Sequence, residues 1–239
     1  MRFARSLVAH ARRASLLGAL ALLGATAAQA QGDIVDEGSF RVTIDGRTAG
    51  TEDFTIRQTG SGTNSELLAT GHVRLTLPSG TLDLQPRLRA TGLDATPVAY
   101  EVTIGGTSPR RIVGTLSGGR FSARTFSASG EQQREYVASS GAVVLDDNVA
   151  HQYYFLARRT RSGQIPVILP RENRQVMAQV TTRGEERVDV SGTPATLYHL
   201  VVTPAGGNAR DVWVDALGRV IKVEIPAQRY AAIRTKLPR

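Results

Sequence analysis

Asp211 and Asp215 stand four residues apart on either side of the only tryptophan, Trp213, in the stretch DVWVDALGRVIKVEIP. Two carboxylates near one aromatic ring suggest the acid/base pair of a glycoside hydrolase. Such pairs lie about 5 to 9.5 Å apart, whereas residues four apart on a strand share a face at about 13 Å. A turn accounts better for residues and spacing together. Asp215-Ala-Leu-Gly218 has aspartate where a type I turn opens and glycine where a left-handed residue closes it. That loop predicts Asp215 opposite Arg219 and Trp213 opposite Ile221, with Val223 and Ile225 on the Trp213 face.

The other chemistry-bearing residues are few. Apart from His10, the histidines are His72, His151 and His199. Asp147 and His151 are four apart on a predicted helix, a spacing that offers two metal ligands without naming a third. The bland alternative is a helix-capping aspartate and a solvated histidine, so no metal and no cofactor is assigned. With no cysteine in the chain, thiol catalysis and thiolate metal sites are excluded. No G-x-S-x-G occurs, and the glycine-rich TGSGTNS at Thr59–Ser65 lacks the P-loop lysine, reading instead as a hairpin tip. No catalytic residue is assigned.

Binding is a second kind of chemistry. Tyr153, Tyr154 and Phe155 cluster in DDNVAHQYYFLARRT. If a curved sheet closed by this helix leaves a pocket, Tyr153, Leu156 and Trp213 are expected in its wall, with His151 and Tyr154 as its polar contributors. The same side chains are equally ordinary core.

The elements that must position these residues are mostly strands. Alternation of period two runs through SFRVTID, TEDFTIRQ, ELLATGHVRLTL, PVAYEVTI, ATLYHLVVTP and QRYAAIRTKL. About twelve antiparallel strands are expected, forming a curved β-roll or half-open barrel. Pro86 marks its strand as an edge or bend. One α-helix is expected over 147–159, capped by Asp146 or Asp147, apolar over most of its girth and therefore buried. The polar stretch 127–135 reads as a long loop within one domain spanning 31–239, or as an internal boundary.

The first thirty residues read as an export signal. Arg2, Arg5, Arg12 and Arg13 precede the apolar SLLGALALLGATA, and AQA ends at Ala30, the expected cleavage point. Arg12-Arg13 leaves the twin-arginine route open beside the general one. These four arginines are part of 29 Lys+Arg against 21 Asp+Glu, so the mature chain has 25 against 21. Its cations are scattered, which argues against a nucleic-acid partner. With 5% aromatic residues there are no girdles for an outer-membrane barrel, and without cysteine no lipid anchor. The expected location is the periplasm, or outside the cell.

GEERVDVSGTPATLYHLVVT followed by RDVWVDALGRVIKVEIP, with LDDNVAHQYYFLARR upstream, resembles the C-terminal half of DUF3108-like bacterial envelope proteins. The likeness covers roughly Val144 to Pro226; the N-terminal half shares only Gly46, Gly50, Phe54 and Ile56. It implies a periplasmic antiparallel β-roll and carries no catalytic residues. Three functions stay open: a carrier of a lipid-like or other hydrophobic ligand, an interaction protein of the envelope, or a hydrolytic enzyme without a recognisable motif.

Overall fold

The computed structural model describes residues 32–239, so the proposed signal and its cleavage point lie outside the described residues. Gly32–Arg239 form one compact unit. Its strands are β1 Asp33–Ile44, β2 Arg47–Thr59, β3 Glu66–Leu77, β4 Gly80–Thr91, β5 Thr96–Gly106, β6 Arg110–Ser117, β7 Arg120–Ser127 and β8 Gly130–Val137. After a crossover come β9 Val143–Val144, β10 Gly163–Leu169, β11 Arg174–Val190, β12 Thr193–Pro204, β13 Arg210–Val214, β14 Val220–Ile225 and β15 Tyr230–Arg234.

All fifteen strands belong to one sheet, in the order β8 down to β1, then β15 down to β9. The described chain therefore starts in mid-sheet and meanders out to β8. It crosses to the opposite edge at β9 and meanders back until β15 pairs antiparallel with β1. Every strand pair is antiparallel except β9 with β10. Short turns drive this topology. Asp45-Gly46, Gly118-Gly119 and Ser191-Gly192 all have positive φ, the two-residue geometry whose twist suits a hairpin.

Because one connection joins the two edges, the sheet must curl. β9 packs on β5, and the turn Pro170–Glu172 packs on β6. A buried polar latch holds this closure: Asp146 of the crossover accepts from Tyr100 Oη of β5 at 2.6 Å and from Arg171 of the turn. The enclosed core includes Phe40, Ile56, Leu84, Leu88, Phe121 and Phe155, all fully buried. On the opposite face of the C-terminal strands, Val188, Val190, Leu197, Trp213 and Ile221 form a separate small cluster.

The all-β curved sheet agrees with the expectation, and several details differ. The stretch 127–135 is neither loop nor boundary but the hairpin leading into β8, hydrogen-bonded to β7. It looked irregular because β8 is exposed on nearly every residue, so no apolar alternation marks it. Pro86 lies in an interior strand, not at an edge. The β3–β4 ladder is interrupted between the pairs Thr70–Arg87 and Val73–Leu84, which places the residue without an N–H in that gap. The helix is shorter than expected: a 3₁₀ turn, Ala150–Gln152, precedes α1, Tyr153–Arg159. Neither Asp146 nor Asp147 caps it.

The opening hairpin forms as a turn. Asp215 Oδ1 accepts the N–H groups of Leu217 and Arg219, both at 2.9 Å, and Oδ2 accepts Arg219 Nε at 2.7 Å. Its register is corrected by one residue. A bulge inserts Ile221, so Trp213 stands opposite Lys222, and Val223 and Ile225 face the main core.

Candidate functional site

An open groove of about 950 Å³ lies at the seam between the first and last strands. One wall is the run Ile34–Ser39 of β1, continued by Asp53–Thr55 of β2 and Thr70–His72 of β3; the other is Thr235–Arg239 with Arg219. The groove exists because the β1–β15 ladder ends at the pair Phe40–Arg234. Beyond it, β1 continues with β2 alone and the tail turns away.

Beneath the groove is a buried row of aromatic and charged groups. Gly38, Phe54 and Gly71 are cross-strand neighbours on β1, β2 and β3. The two glycines leave room for larger side chains from elsewhere. A Cβ on Gly38 would stand 3.0 Å from Arg234 Nη1, and one on Gly71 only 2.7 Å from His151 Cε1. Phe54 is consequently held between the Arg234 guanidinium, 4.9 Å from its centroid, and the His151 ring, parallel to it at 5.4 Å.

Each end of that stack has its own carboxylate. Arg234 donates to Asp36 Oδ2, to the Glu37 carbonyl at 3.1 Å and to the Val220 carbonyl at 2.5 Å. Burial pushes the Asp36 carboxyl above its usual range, with the Arg234 guanidinium pulling the other way. Asp36 Oδ1 lacks a hydrogen-bond partner among the described residues. At the other end, Glu52 is fully buried. It accepts the Ala150 N–H at 2.7 Å, the His151 N–H at 2.9 Å and His151 Nδ1 at 2.7 Å. Glu52 thus satisfies the first free amides of the helical segment, as a side-chain cap does, but from a distant strand.

The residues expected to share a pocket are split between the two faces of the sheet. Tyr153, Tyr154 and Leu156 are buried in the core around α1, and the cavity touching Tyr153 measures about 10 Å³. Tyr154 Oη accepts from Arg158. His151 is not in the groove lining; it lies beneath it, against Phe54 and Gly71. Trp213 is on the outer face, donating to Glu186 at 2.9 Å, stacked on His199 at 4.4 Å and covered by Lys222 Nζ at 4.3 Å. It shares no wall with Tyr153. Asp147 and His151 also part company: Asp147 pairs with Arg210 and His151 with Glu52. Among the described residues, no three His, Cys, Asp or Glu side chains are grouped to hold a metal. Asp211, the other half of the carboxylate pair, accepts from His199 at 2.8 Å.

Sequence reasoning missed Asp36, Glu52 and Arg234, although a signal was present. Glu52 has the strand parity of Phe54 and Ile56, and Arg234 that of Tyr230 and Ala232. A charge on the apolar face of a strand is the exceptional observation.

The molecule is thus a curled antiparallel sheet around one short helix, a β-barrel-like architecture. A solved structure of the same kind is the β-barrel-like protein of domain of unknown function DUF1849 from Brucella abortus. It superposes with a TM-score of 0.55 at 10% identity, over 85% of this chain and 96% of that one. At that identity the likeness is one of fold. It supports a β-barrel-like fold and does not single out the DUF3108-like group that the sequence resembles. No family model matches the chain, and no curated protein does.

Proposed function

We propose that this is an exported envelope protein whose roll serves as a non-catalytic binding module, with its ligand in the seam groove and not around the helix. One observation carries the reading: the groove offers about 950 Å³, against about 10 Å³ beside Tyr153. Small-molecule sites occupy roughly 300–1,000 Å³. A lipid chain inside the roll would have to displace Tyr153, Phe155 and Leu156 from a close-packed interior. The apolar part of a ligand instead meets Ile34, Val35, Phe54, Leu237 and Pro238, which line the groove beside its charged residues. The Glu52–His151 pair serves as an anchor for the helical segment. Export rests on the arginine-flanked apolar run before Gln31.

The test is a set of amide spectra of the mature protein titrated with a small-molecule fragment library. Shifts at Ser39, Thr55, Thr70 and His72 support the groove. Shifts confined to Tyr153, Tyr154 and Leu156 would return the ligand to the interior.

A second reading, an interaction protein of the envelope, is favoured by β8. This edge strand of eight residues is exposed along nearly its whole length, a template for another strand. Loss of a co-purifying partner on replacing Gln133 by proline would favour it over the groove.

A further inference from the structure

Resting on the groove reading, we infer that the groove takes an extended polypeptide segment, which adds as a strand to the free edge of β1 and places a basic side chain at Asp36. Three features of the groove converge on that occupant.

The first is the backbone. The groove is lined by six consecutive residues of β1, Ile34 to Ser39, so the strand's edge forms the wall as well as one of its faces. On that side no strand pairs with β1 before Phe40. The Ser39 carbonyl is met by the N–H of Thr235 at 2.9 Å, and the Glu37 carbonyl by the Arg234 side chain. The alternation that turns those two carbonyls toward the groove turns the N–H groups of the same residues that way too. An extended peptide satisfies such a row, and in strand addition these main-chain bonds supply affinity while side-chain pockets supply specificity.

The second is the carboxylate. Asp36 is 4% exposed and lines the groove, yet its Oδ1 lacks a partner among the described residues. A buried acceptor without a partner in the wall of a groove suits an incoming N–H donor, and an ammonium or guanidinium suits a carboxylate best.

The third is the distribution of charge. Asp36, Glu37 and Asp53 stand on the sheet wall, whereas Arg219, Lys236 and Arg239 belong to the opposite wall. Asp53 is already engaged by Ser39 and Arg74 and Asp36 Oδ2 by Arg234, which leaves Asp36 Oδ1 and the exposed Glu37 carboxylate as the wall's acceptors for a ligand's cation among the described residues.

The test titrates the full mature protein, followed by amide spectra, with three octapeptides: alternating Thr-Lys, alternating Thr-Glu, and alternating Thr-Lys methylated on every second backbone nitrogen. The expected result is shifts at Val35 to Ser39 with the Thr-Lys peptide, and binding weaker by about tenfold or more for the Thr-Glu peptide and for Asp36→Asn. Methylation on the hydrogen-bonding register should abolish the shifts, and this arm holds even if Asp36→Asn fails to fold. Equal binding of the methylated peptide would overturn strand addition. Equal binding of the Thr-Glu peptide would overturn the role of Asp36. Shifts at Gln132 to Tyr136 would move the peptide to the β8 edge. If no peptide binds while fragments still shift Thr55 and Thr70, strand addition falls and the groove reading stands; silence from both removes both.

Discussion

Replacing Glu52 by glutamine should unfasten the start of the helical segment while leaving the sheet intact. Glu52 accepts three hydrogen bonds of 2.7, 2.9 and 2.7 Å, two from main-chain amides and one from His151. Hydrogen bonds to charged groups contribute about 1.5–3 kcal/mol each, and a buried donor left alone costs about 1–3 kcal/mol. Glutamine keeps the shape and one acceptor oxygen, but turns an NH₂ toward an N–H that needs an acceptor. The combined loss is about 3 kcal/mol, or roughly 6–12 °C in Tm for a domain of this size. Urea unfolding followed by the fluorescence of Trp213, which lies outside the perturbed core, measures it. Hydrogen exchange at Ala150 and His151 should accelerate by about a hundredfold, the equivalent of that energy. A change under about 1 kcal/mol with unaltered exchange at both amides would refute the capping role.

Two further predictions concern the turn and the latch. Asp215→Ala removes three hydrogen bonds that close the β13–β14 turn and should destabilise by about 1–2 kcal/mol; a loss below about 0.5 kcal/mol in urea would place the turn's stability elsewhere. Burial raises the Asp146 carboxyl above its ordinary 3.8 against the pull of Arg171 and Tyr100, so the folded state holds that proton more tightly than the unfolded one. Its stabilising contribution is complete below the ordinary value and fades as pH rises through the raised one. Asp146→Asn should remove that decline, leaving urea midpoints flatter as pH rises above the ordinary carboxylate value of 3.8; equal slopes in the two proteins would sink the assignment.

The fold was legible wherever one strand face was buried and the other wet. Phe40 with Val42, and Val73 with Leu75, alternate with exposed or half-exposed neighbours, and such strands were read correctly. β8 was illegible because neither face is buried, and β9 because two residues carry no period. QVMAQVTT and EERVDV each carry their own alternation, yet both belong to one strand, β11, with an irregularity between Thr182 and Gly184. The helix shows the deeper limit. Its aromatic stripe announced burial, but its cap comes from Glu52, 98 residues before the amide it accepts. No local rule of spacing reaches that far. The expected pocket does not form because Val212 and Val214, not Trp213, take the core face of β13; Val223 and Ile225 did not report the face of Trp213, since the bulge at Ile221 moves them to the opposite one.

The groove itself follows from unequal strands. β1 has twelve residues and its seam partner β15 has five, so about half of β1 lacks a neighbour on one side. A β-sheet leaves such an edge open only where something else meets it or where a charge discourages pairing. Here Arg234, the last residue of β15, reaches back across the gap to the Glu37 carbonyl and to Asp36. It partly stands in for the missing strand and lies on the Phe54 ring that closes the groove floor. One arginine therefore ends the ladder, neutralises the carboxylate at the free edge and stiffens the floor. Anything that binds along β1 must bind beside it, which is why the edge and the buried charges form one site.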